Sequence, residues 1–313
     1  MAARMTVARV PILPILATIL GLSLFSVMDG TMKAASLAMG AYAAMFWRGL
    51  TAATLVLPLW LWRRRGFPAW STIRVHGLRG VVATGMAVLF FYGIVRTPLA
   101  EGIALSFIAP LIALYLAAIL LGETLRKAAV GGSLLALAGV VVIGWAKFDG
   151  PADAEAARGM AAILVSSVLY AWNLVLQRQQ ALIAAPEEVA FFQALVTALV
   201  LGLGAWWLVP WPDARTWGLI GVSALLSTVA LMLLSWAYGR AEAQVLVPLE
   251  YTAFLSAAVV GWIAFDEPVT LNTLAGVVLI VAGCLYATGR SVHESGAKPG
   301  LGGGVNEAGG SGL

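Results

Sequence analysis

The chain has 313 residues, of which 61% are hydrophobic and only 11% are charged, and its formal net charge is +4. Soluble domains carry about 25% charged residues, so this composition excludes an ordinary soluble protein. One cysteine, Cys284, and two histidines far apart in the sequence exclude a disulfide framework and a cysteine-based metal site. We expect no cofactor and no metal. The aromatic residues do not follow a basic stripe, which argues against a nucleic-acid partner.

The apolar residues fall into windows long enough to cross a bilayer. A helix needs about 20 residues to cross roughly 30 Å of hydrocarbon, and continuous Leu, Val, Ala and Ile runs without alternation exclude a β-barrel. The sequence predicts an all-α integral membrane protein with a short N-terminal segment, 1–9, ten transmembrane helices, and a disordered glycine-rich tail, 290–313. The predicted spans are 10–31, 41–62, 78–96, 99–121, 127–146, 158–178, 188–208, 216–238, 243–265 and 270–289. The first is a retained helix rather than a signal peptide, since SLFSVMDG offers no clean cleavage site.

The distribution of lysine and arginine predicts the orientation of the bundle. Thirteen lie on the side of the N-terminus, including Arg79 in the connection between spans two and three, and five, including Lys33, lie on the other. Cytoplasmic loops carry the excess of positive charge. We therefore predict a plasma-membrane protein, in bacteria the inner membrane, with both termini in the cytoplasm.

The chain repeats itself at a shift of 144 residues. RTPLAEGIALSFIAPLIALYLAAILLGE (96–123) aligns without a gap on RAEAQVLVPLEYTAFLSAAVVGWIAFDE (240–267), and Asp29 aligns on Asn173. The halves, 10–146 and 158–289, hold five spans each. An odd number of spans inserts the second half upside down, which predicts two inverted-topology five-helix repeats with the substrate site between them.

These ten spans and the two aligned segments, each closing on a Glu, resemble the drug/metabolite transporter superfamily, in particular its EamA-like members. The resemblance covers about 10–289 and implies a secondary transporter. Relatives of this kind move amino acids and other small metabolites in either direction. The element DGTMK (29–33) with FFYG (90–93) is similar to members that handle cofactor-like solutes.

Two charged residues fall inside predicted spans of the first half. Asp29 lies several residues below the predicted outer end of span one, and Arg48 lies roughly 10 Å down span two at 1.5 Å per residue. Charges within a membrane usually face the interior of the bundle and pair with each other. We predict that Asp29 and Arg48 are partners lining the pathway; the alternative is that they reach the headgroups as interfacial residues.

Polar residues of the second half are predicted at the opposite depth. Asn173 is the mate of Asp29, and Gln193 is the mate of Arg48 after one residue of slippage; Glu250, two residues after Pro248, is the mate of Ser106. An acid in LVPLEYTAFL predicts a proton site or a contact to a solute amine, with a structural hydrogen bond to a neighbouring helix as the alternative.

We also predict that nearby aromatic side chains stack on the solute: Trp47, Tyr92, Phe107, Trp172, Trp236 and Tyr251.

Other repeated residues indicate structural roles. Gly132, Gly139, Gly276 and Gly283 are predicted to permit close helix packing. Glu123 and Glu267 are each predicted to cap the helix that follows, and Pro110 and Pro248 to bend spans four and nine.

The prediction for function is a secondary transporter that moves a small polar or amphipathic metabolite, amino-acid-like or cofactor-like, by alternating access with possible proton coupling. Its partners are the solute and the bilayer, and the protein is a monomer or a homodimer. No phosphate-binding loop, HExxH or GxSxG motif occurs, which argues against ATP-driven pumping and against an enzyme. The alternative is a polytopic membrane enzyme or a lipid-handling protein.

Overall fold

The computed structural model describes residues 12–64, 66–109, 111–112, 115, 127–145, 154–241 and 246–295, and every regular element in these ranges is a helix. The first half contributes α1 (Ile12–Met39), α2 (Ala41–Arg63), α3 (Trp70–Ile94), α4 (Leu99–Ser106) and α5 (Lys127–Trp145). The second half contributes α6 (Ala154–Ile183), α7 (Pro186–Leu208), α8 (Ala214–Tyr238), a 3₁₀ helix (Val247–Thr252), α9 (Ala253–Phe265) and α10 (Leu271–Ser295). Within the described ranges, six helices (α1, α2, α3, α6, α7 and α8) are long and apolar enough to cross a membrane.

Two helices, α1 and α3, extend well beyond the predicted spans, and each carries a buried charged residue. Helix α1 continues to Met39 rather than stopping near residue 31, and it carries Lys33 into the bundle with 3% of its surface exposed. Helix α3 begins at Trp70 rather than residue 78, and Arg79 is 3% exposed inside it. The assignment of Arg79 to a connecting loop was therefore wrong.

The fourth and ninth spans are interrupted near their prolines. Helix α4 ends at Ser106 and a turn follows at 107–108, whereas the ninth span opens with the 3₁₀ helix that contains Pro248. Several predictions concern residues outside the described ranges: the segment 1–9, Pro110, most of span four after residue 112, Glu123, and the tail beyond Ser295.

Helices of the first half pack mainly against helices of the second. The four most extensive interfaces are α5 with α10, α1 with α8, α3 with α6, and α2 with α7. At the α5–α10 interface, a Cβ added to Gly276 would lie 2.4 Å from Ile143 Cγ1, and one added to Gly139 would lie 2.5 Å from the Gly276 carbonyl oxygen. Only hydrogen-sized side chains allow these two backbones to approach so closely.

Glu267 does not cap the helix that follows it, contrary to the prediction. Its carboxylate forms an ion pair with Lys33 and accepts a hydrogen bond from the Leu99 backbone N–H at 2.7 Å, at the start of α4. The Lys33 ammonium also donates to the Thr97 carbonyl oxygen at 2.9 Å. Helix α10 is capped instead by Thr270, whose hydroxyl accepts from the Thr273 N–H at 3.1 Å. Glu267 therefore joins α1, α4 and the α9–α10 connection.

Outside the spans, the start of α8 is fixed by a side-chain cap. The Asp213 carboxylate accepts a hydrogen bond from the Thr216 backbone N–H at 2.7 Å, in the usual geometry of a helix N-cap. Hydrogen bonding to Thr216 lowers the pKa of the Asp213 carboxyl below its ordinary value, because only the ionised form is a full acceptor.

Candidate functional site

A cavity of about 250 Å³ lies between the two halves of the chain. It is lined by α1, α2, α3 and α4 from the first half and by α6, α7, α8, the 3₁₀ helix and α9 from the second. Most of the lining is apolar. The polar exceptions include residues that the sequence predicted and residues that it did not: Asp29, Arg48, Arg79, Ser106, Tyr170, Asn173, Gln177, Gln193 and Glu250.

Asp29 and Arg48 line the same cavity without forming a close ion pair. Within the described part of the chain, no Lys, Arg or His nitrogen lies within 4.0 Å of the Asp29 carboxylate, and no hydrogen bond reaches it, although Arg48 acts on it electrostatically. The Arg48 guanidinium contacts Met28 Sδ at 3.5 Å and Met45 Sδ at 3.2 Å, with the Phe91 ring centroid 5.9 Å away. Thioethers are weak acceptors. Both groups therefore keep strong hydrogen-bonding capacity for something placed in the cavity.

Arg48 Nε has no hydrogen-bond partner among the described residues, and neither has Gln193 Oε1. Both atoms are buried, and a buried polar group that lacks a partner costs about 1–3 kcal/mol. Gln193 lines the cavity from α7 and donates only a long bond, 3.4 Å, to Thr197 Oγ1. One donor and one acceptor thus remain unused on two residues that line the cavity, one from each half.

Glu250 reaches the cavity from the 3₁₀ helix and is held by two tyrosines. The Tyr170 hydroxyl of α6 donates to Glu250 Oε2, and the Tyr238 hydroxyl of α8 donates to Oε1 at 3.3 Å. Glu250 is 6% exposed and Tyr238 only 1%. The carboxyl group is thus fixed in position while one of its faces lines the cavity. A group that can take up and release a proton is placed where a solute would lie.

A third charged residue in the cavity, Arg79, was missed by the sequence prediction. Its guanidinium donates to three side-chain amides of α6: Nε to Asn173 Oδ1 at 3.2 Å, one Nη to Gln180 Oε1 at 2.5 Å and the other to Gln177 Oε1 at 3.2 Å. Asn173, Gln177 and Gln180 follow Tyr170 at spacings of 3, 4 and 3 on one face of a helix. That polar stripe is the sequence signal that pointed to a buried partner.

The remaining predicted residues divide between the cavity and other places. Ser106 and Phe107 line the cavity; the Ser106 hydroxyl also donates to the Gly102 carbonyl oxygen at 3.1 Å. Tyr251 does not line it but packs edge-on against Phe107, with ring centroids 5.0 Å apart. Trp47 donates to the Pro210 carbonyl oxygen and contacts the rings of Trp211 and Trp217.

Of the six predicted stacking residues, Phe107 lines the cavity; Trp172, Tyr92 and Trp236, like Trp47 and Tyr251, are not part of the wall that the described residues form. Trp172 is 40% exposed, since it is about 200° around α6 from Tyr170. The rings of Tyr92 and Trp236 lie beneath the guanidinium groups of Arg96, 3.7 Å away, and Arg240, 4.2 Å away. An amphipathic ring beside an arginine near a helix end is typical of the membrane interface.

The described residues contain no group of three or more His, Cys, Asp or Glu side chains placed to hold a metal ion. The cavity offers hydrogen-bond donors, acceptors and charges instead. Such an arrangement is chemically suited to bind and orient a solute.

Comparison with known proteins gives this cavity its context. The sequence model of the EamA-like transporter family matches residues 12–145 and, a second time, residues 157–289. The chain belongs to the EamA-like transporter family. It is therefore a multi-pass membrane transporter of small molecules and not an enzyme.

Individual relatives of this EamA-like transporter carry different names. A pseudopaline exporter of Pseudomonas aeruginosa strain UCBPP-PA14 is 29% identical over 276 residues, which is 87% of this chain and 94% of the relative. An aromatic amino acid exporter of Ancylobacter novellus is 31% identical over 72% of this chain and 77% of its own. An S-adenosylmethionine uptake transporter of Rickettsia bellii is 22% identical over 78% and 82%. The relatives thus include proteins named for export and for uptake.

A solved crystal structure is similar in fold. It superposes on 89% of this chain and 98% of its own with a TM-score of 0.61, at 24% sequence identity. The likeness at this level of identity concerns the arrangement of the helices alone.

Proposed function

We propose that this protein is a secondary transporter for a small amphipathic zwitterion of the amino-acid class, which it moves by alternating access across a bacterial inner membrane. The observation that carries the proposal is the pair Asp29 and Arg48. A carboxylate without a hydrogen bond and a guanidinium bonded only to thioethers line one cavity, as far as the described residues extend. An ammonium and a carboxylate on one solute complement these two groups with charge-assisted hydrogen bonds.

Ten spans in two inverted repeats provide the framework for alternating access, and the packing supports that arrangement. Exchanging the halves turns the α1–α8 interface into the α6–α3 interface, while α2–α7 and α5–α10 are exchanged with themselves. These are the four most extensive interfaces, as a two-fold relation between the halves requires. The double match of the family model supports the same division. Rocking of the halves would expose the cavity to each side in turn, with both termini in the cytoplasm.

The apolar part of the wall supports a solute with a hydrophobic body. Phe25, Phe90 and Phe91 line the cavity beside Met28 and Met45. Aromatic and thioether side chains favour flat or polarisable groups. Two relatives are named for solutes in which an amino acid carries such a group: an aromatic amino acid exporter and an S-adenosylmethionine uptake transporter. The solute of this chain is of the same chemical class in our proposal.

Proton coupling is assigned to Glu250 in this proposal. Its carboxyl is positioned by two tyrosine hydroxyls and contacts the cavity, so it can respond both to the solute and to protons. The remaining predicted contacts are Asn173 and Gln193 from the second half and Ser106 from the first.

Transport by purified protein in liposomes tests the proposal. Labelled L-tryptophan and S-adenosylmethionine, with a wider amino-acid panel as competitors, are followed by counterflow, which is independent of the direction of net transport. A hydrogen bond to a charged group contributes about 1.5–3 kcal/mol, so Arg48→Gln and Asp29→Asn should each lower transport by roughly 10- to 150-fold.

The matched controls carry similar substitutions away from the cavity. Arg74→Gln removes an exposed guanidinium that lies over Trp70, and Trp172→Phe alters an exposed ring; both should transport like the unchanged protein. Normal transport by both Asp29→Asn and Arg48→Gln would refute the zwitterion site.

A further inference from the structure

Arg79 is a buried cation whose hydrogen-bond partners in the described part of the chain are all neutral. Its side chain makes three hydrogen bonds to amide oxygens, and within the described residues no carboxylate lies within 4.0 Å of it. A guanidinium has five N–H donors, so two remain. The residue is 3% exposed yet lines the central cavity. A cation in a membrane protein usually finds a counter-charge, and this one faces a space that a solute can fill.

The two halves carry different residues at the position of Gln177. Gln177 bonds to Arg79, and its mate at the shift of 144 residues is Lys33. Lys33 is also buried, but the Glu267 carboxylate neutralises it. One end of the bundle therefore contains a compensated buried cation, whereas the other contains an uncompensated one at the wall of the cavity.

A chain of side chains leads from Arg79 to the surface. Gln180 is fully buried and bonds to Arg79 through Oε1; its Nε2 lies 2.5 Å from His76 Nδ1, and His76 Nε2 lies 3.1 Å from Glu188 Oε1. Glu188 lines an open cleft at the beginning of α7. The chain joins the cavity to the face that carries the α2–α3 and α6–α7 connections.

Elementary chemistry fixes the direction of every hydrogen bond in this chain. Arginine only donates, so the amide oxygen of Gln180 must face Arg79 and its NH₂ must face His76. His76 Nδ1 must then be the acceptor, which places the ring proton on Nε2, directed at Glu188. The arrangement is consistent only with a neutral His76.

We propose that Arg79 binds an anionic group of the transported solute at this end of the cavity, and that neutral His76 holds Arg79 there through Gln180. The proposal rests on the proposed function and deepens it: the solute carries an acidic group in addition to its amino-acid head. Arg48 binds the carboxylate of the head, and Arg79 binds the second acid.

Protonation of His76 disturbs this arrangement. A proton on Nδ1 faces the Gln180 NH₂, two donors oppose each other, and the amide must turn, which withdraws its oxygen from Arg79. The charged groups that act on His76 are Glu188 of α7 and Arg79 of its own helix, while α6 contributes the neutral Gln180. The other first-turn acid of α7, Glu187, lies 3.8 Å from Arg63 of α2. A low pH on this side of the membrane therefore removes the hydrogen bond from Gln180 that holds Arg79 in place.

The first test compares solutes that differ by one carboxylate. Binding of L-glutamate and L-glutamine, and of the dipeptides Asp-Phe and Asn-Phe, is measured by calorimetry on the purified protein at pH 8. We expect the acid of each pair to bind about tenfold more tightly than its amide, as one hydrogen bond to a charged group predicts. Arg79→Gln should abolish this preference and Arg74→Gln should keep it.

A second variant separates loss of the site from loss of the fold. Gln180→Glu gives Arg79 a permanent counter-ion while leaving it in place, and it should abolish the preference as well. Equal binding of acid and amide by the unchanged protein, no binding of either acid, or a preference that survives in Arg79→Gln overturns the proposal. The outcome is distinct from failure of the zwitterion site, which is read from the response of the shared amino-acid head to Asp29→Asn and Arg48→Gln.

The positioning role of His76 has its own readout. The chain contains two histidines, so ¹⁵N-histidine labelling of the His293→Gln variant leaves one signal pair. We expect Nε2 to carry the proton at pH 8, and the acid preference to fall as the pH is lowered through the titration of His76. In His76→Gln the preference should no longer change with the pH over that range. A proton on Nδ1 at pH 8, or an unchanged pH profile in His76→Gln, contradicts the positioning role.

Discussion

Removing one partner of the ion pair between Lys33 and Glu267 should be among the most destabilising single substitutions in the bundle. The side chain of Lys33 is 4% exposed and that of Glu267 is 20% exposed. Removing one partner of a buried pair costs about 3–5 kcal/mol, because the other charge stays buried. For Lys33→Met we expect about 3 kcal/mol, the lower part of that range, since solvent reaches the remaining carboxylate.

Glu267→Gln leaves the more deeply buried charge behind, so we expect a loss of about 4 kcal/mol. The glutamine can still accept from the Leu99 N–H and so preserve the start of α4. The double variant buries no lone charge, and we expect it to lose only about 1–2 kcal/mol, which makes the coupling energy of the pair large.

Thermal unfolding in detergent, followed by circular dichroism, measures these differences. At about 2–4 °C per kcal/mol, the single variants should unfold roughly 6–16 °C below the unchanged protein. The double variant should have a melting temperature between those of the single variants and that of the unchanged protein. Exposed Arg74→Gln serves as the reference for the loss of a charge from the surface. Losses that simply add in the double variant would show that the two side chains do not depend on each other, and the reasoning would fail.

Two further predictions concern coupling and packing. Glu250→Gln cannot take up a proton, so transport should lose its dependence on external pH while counterflow persists; an unchanged pH dependence, measured in liposomes, contradicts the coupling role. Gly276→Val should destabilise the α5–α10 interface, because the new Cβ would lie 2.4 Å from Ile143 Cγ1, whereas Gly221→Ala, with nothing within 4 Å, should leave the melting temperature nearly unchanged.

The contrast between Asp29 and Arg79 illustrates how far the sequence could be read. Asp29 stands alone in an apolar run and aligns on Asn173, so its position inside the bundle could be predicted from hydropathy and the repeat. Arg79 follows a polar stretch that contains Arg74 and His76, and hydropathy alone cannot separate such a stretch from a loop. Its burial depends on the amides of α6, which lie 94 to 101 residues away in the chain.

The sequence left the surroundings of the aromatic residues open for a related reason. A tryptophan side chain is found beside solutes, in packed cores and at the membrane interface, so its presence near a polar residue does not predict which of these it occupies. The angle around the helix decides: Tyr170 faces the cavity and Trp172 faces away. That angle was available from the sequence, through the stripe that Tyr170 shares with Asn173, but only after the stripe had been recognised.

The sequence by itself determined the membrane, the helices, the repeat at 144 residues and the family. Each of these follows from local composition or from self-similarity, because a bilayer imposes its length and its demand for internal hydrogen bonds on every span separately. Only the tertiary structure decided which charges are compensated. The sequence is compatible with Glu267 capping the helix that follows it, but in the structure its carboxylate forms an ion pair with Lys33. Pairing depends on distances between helices, and these are set by the packing of both halves together.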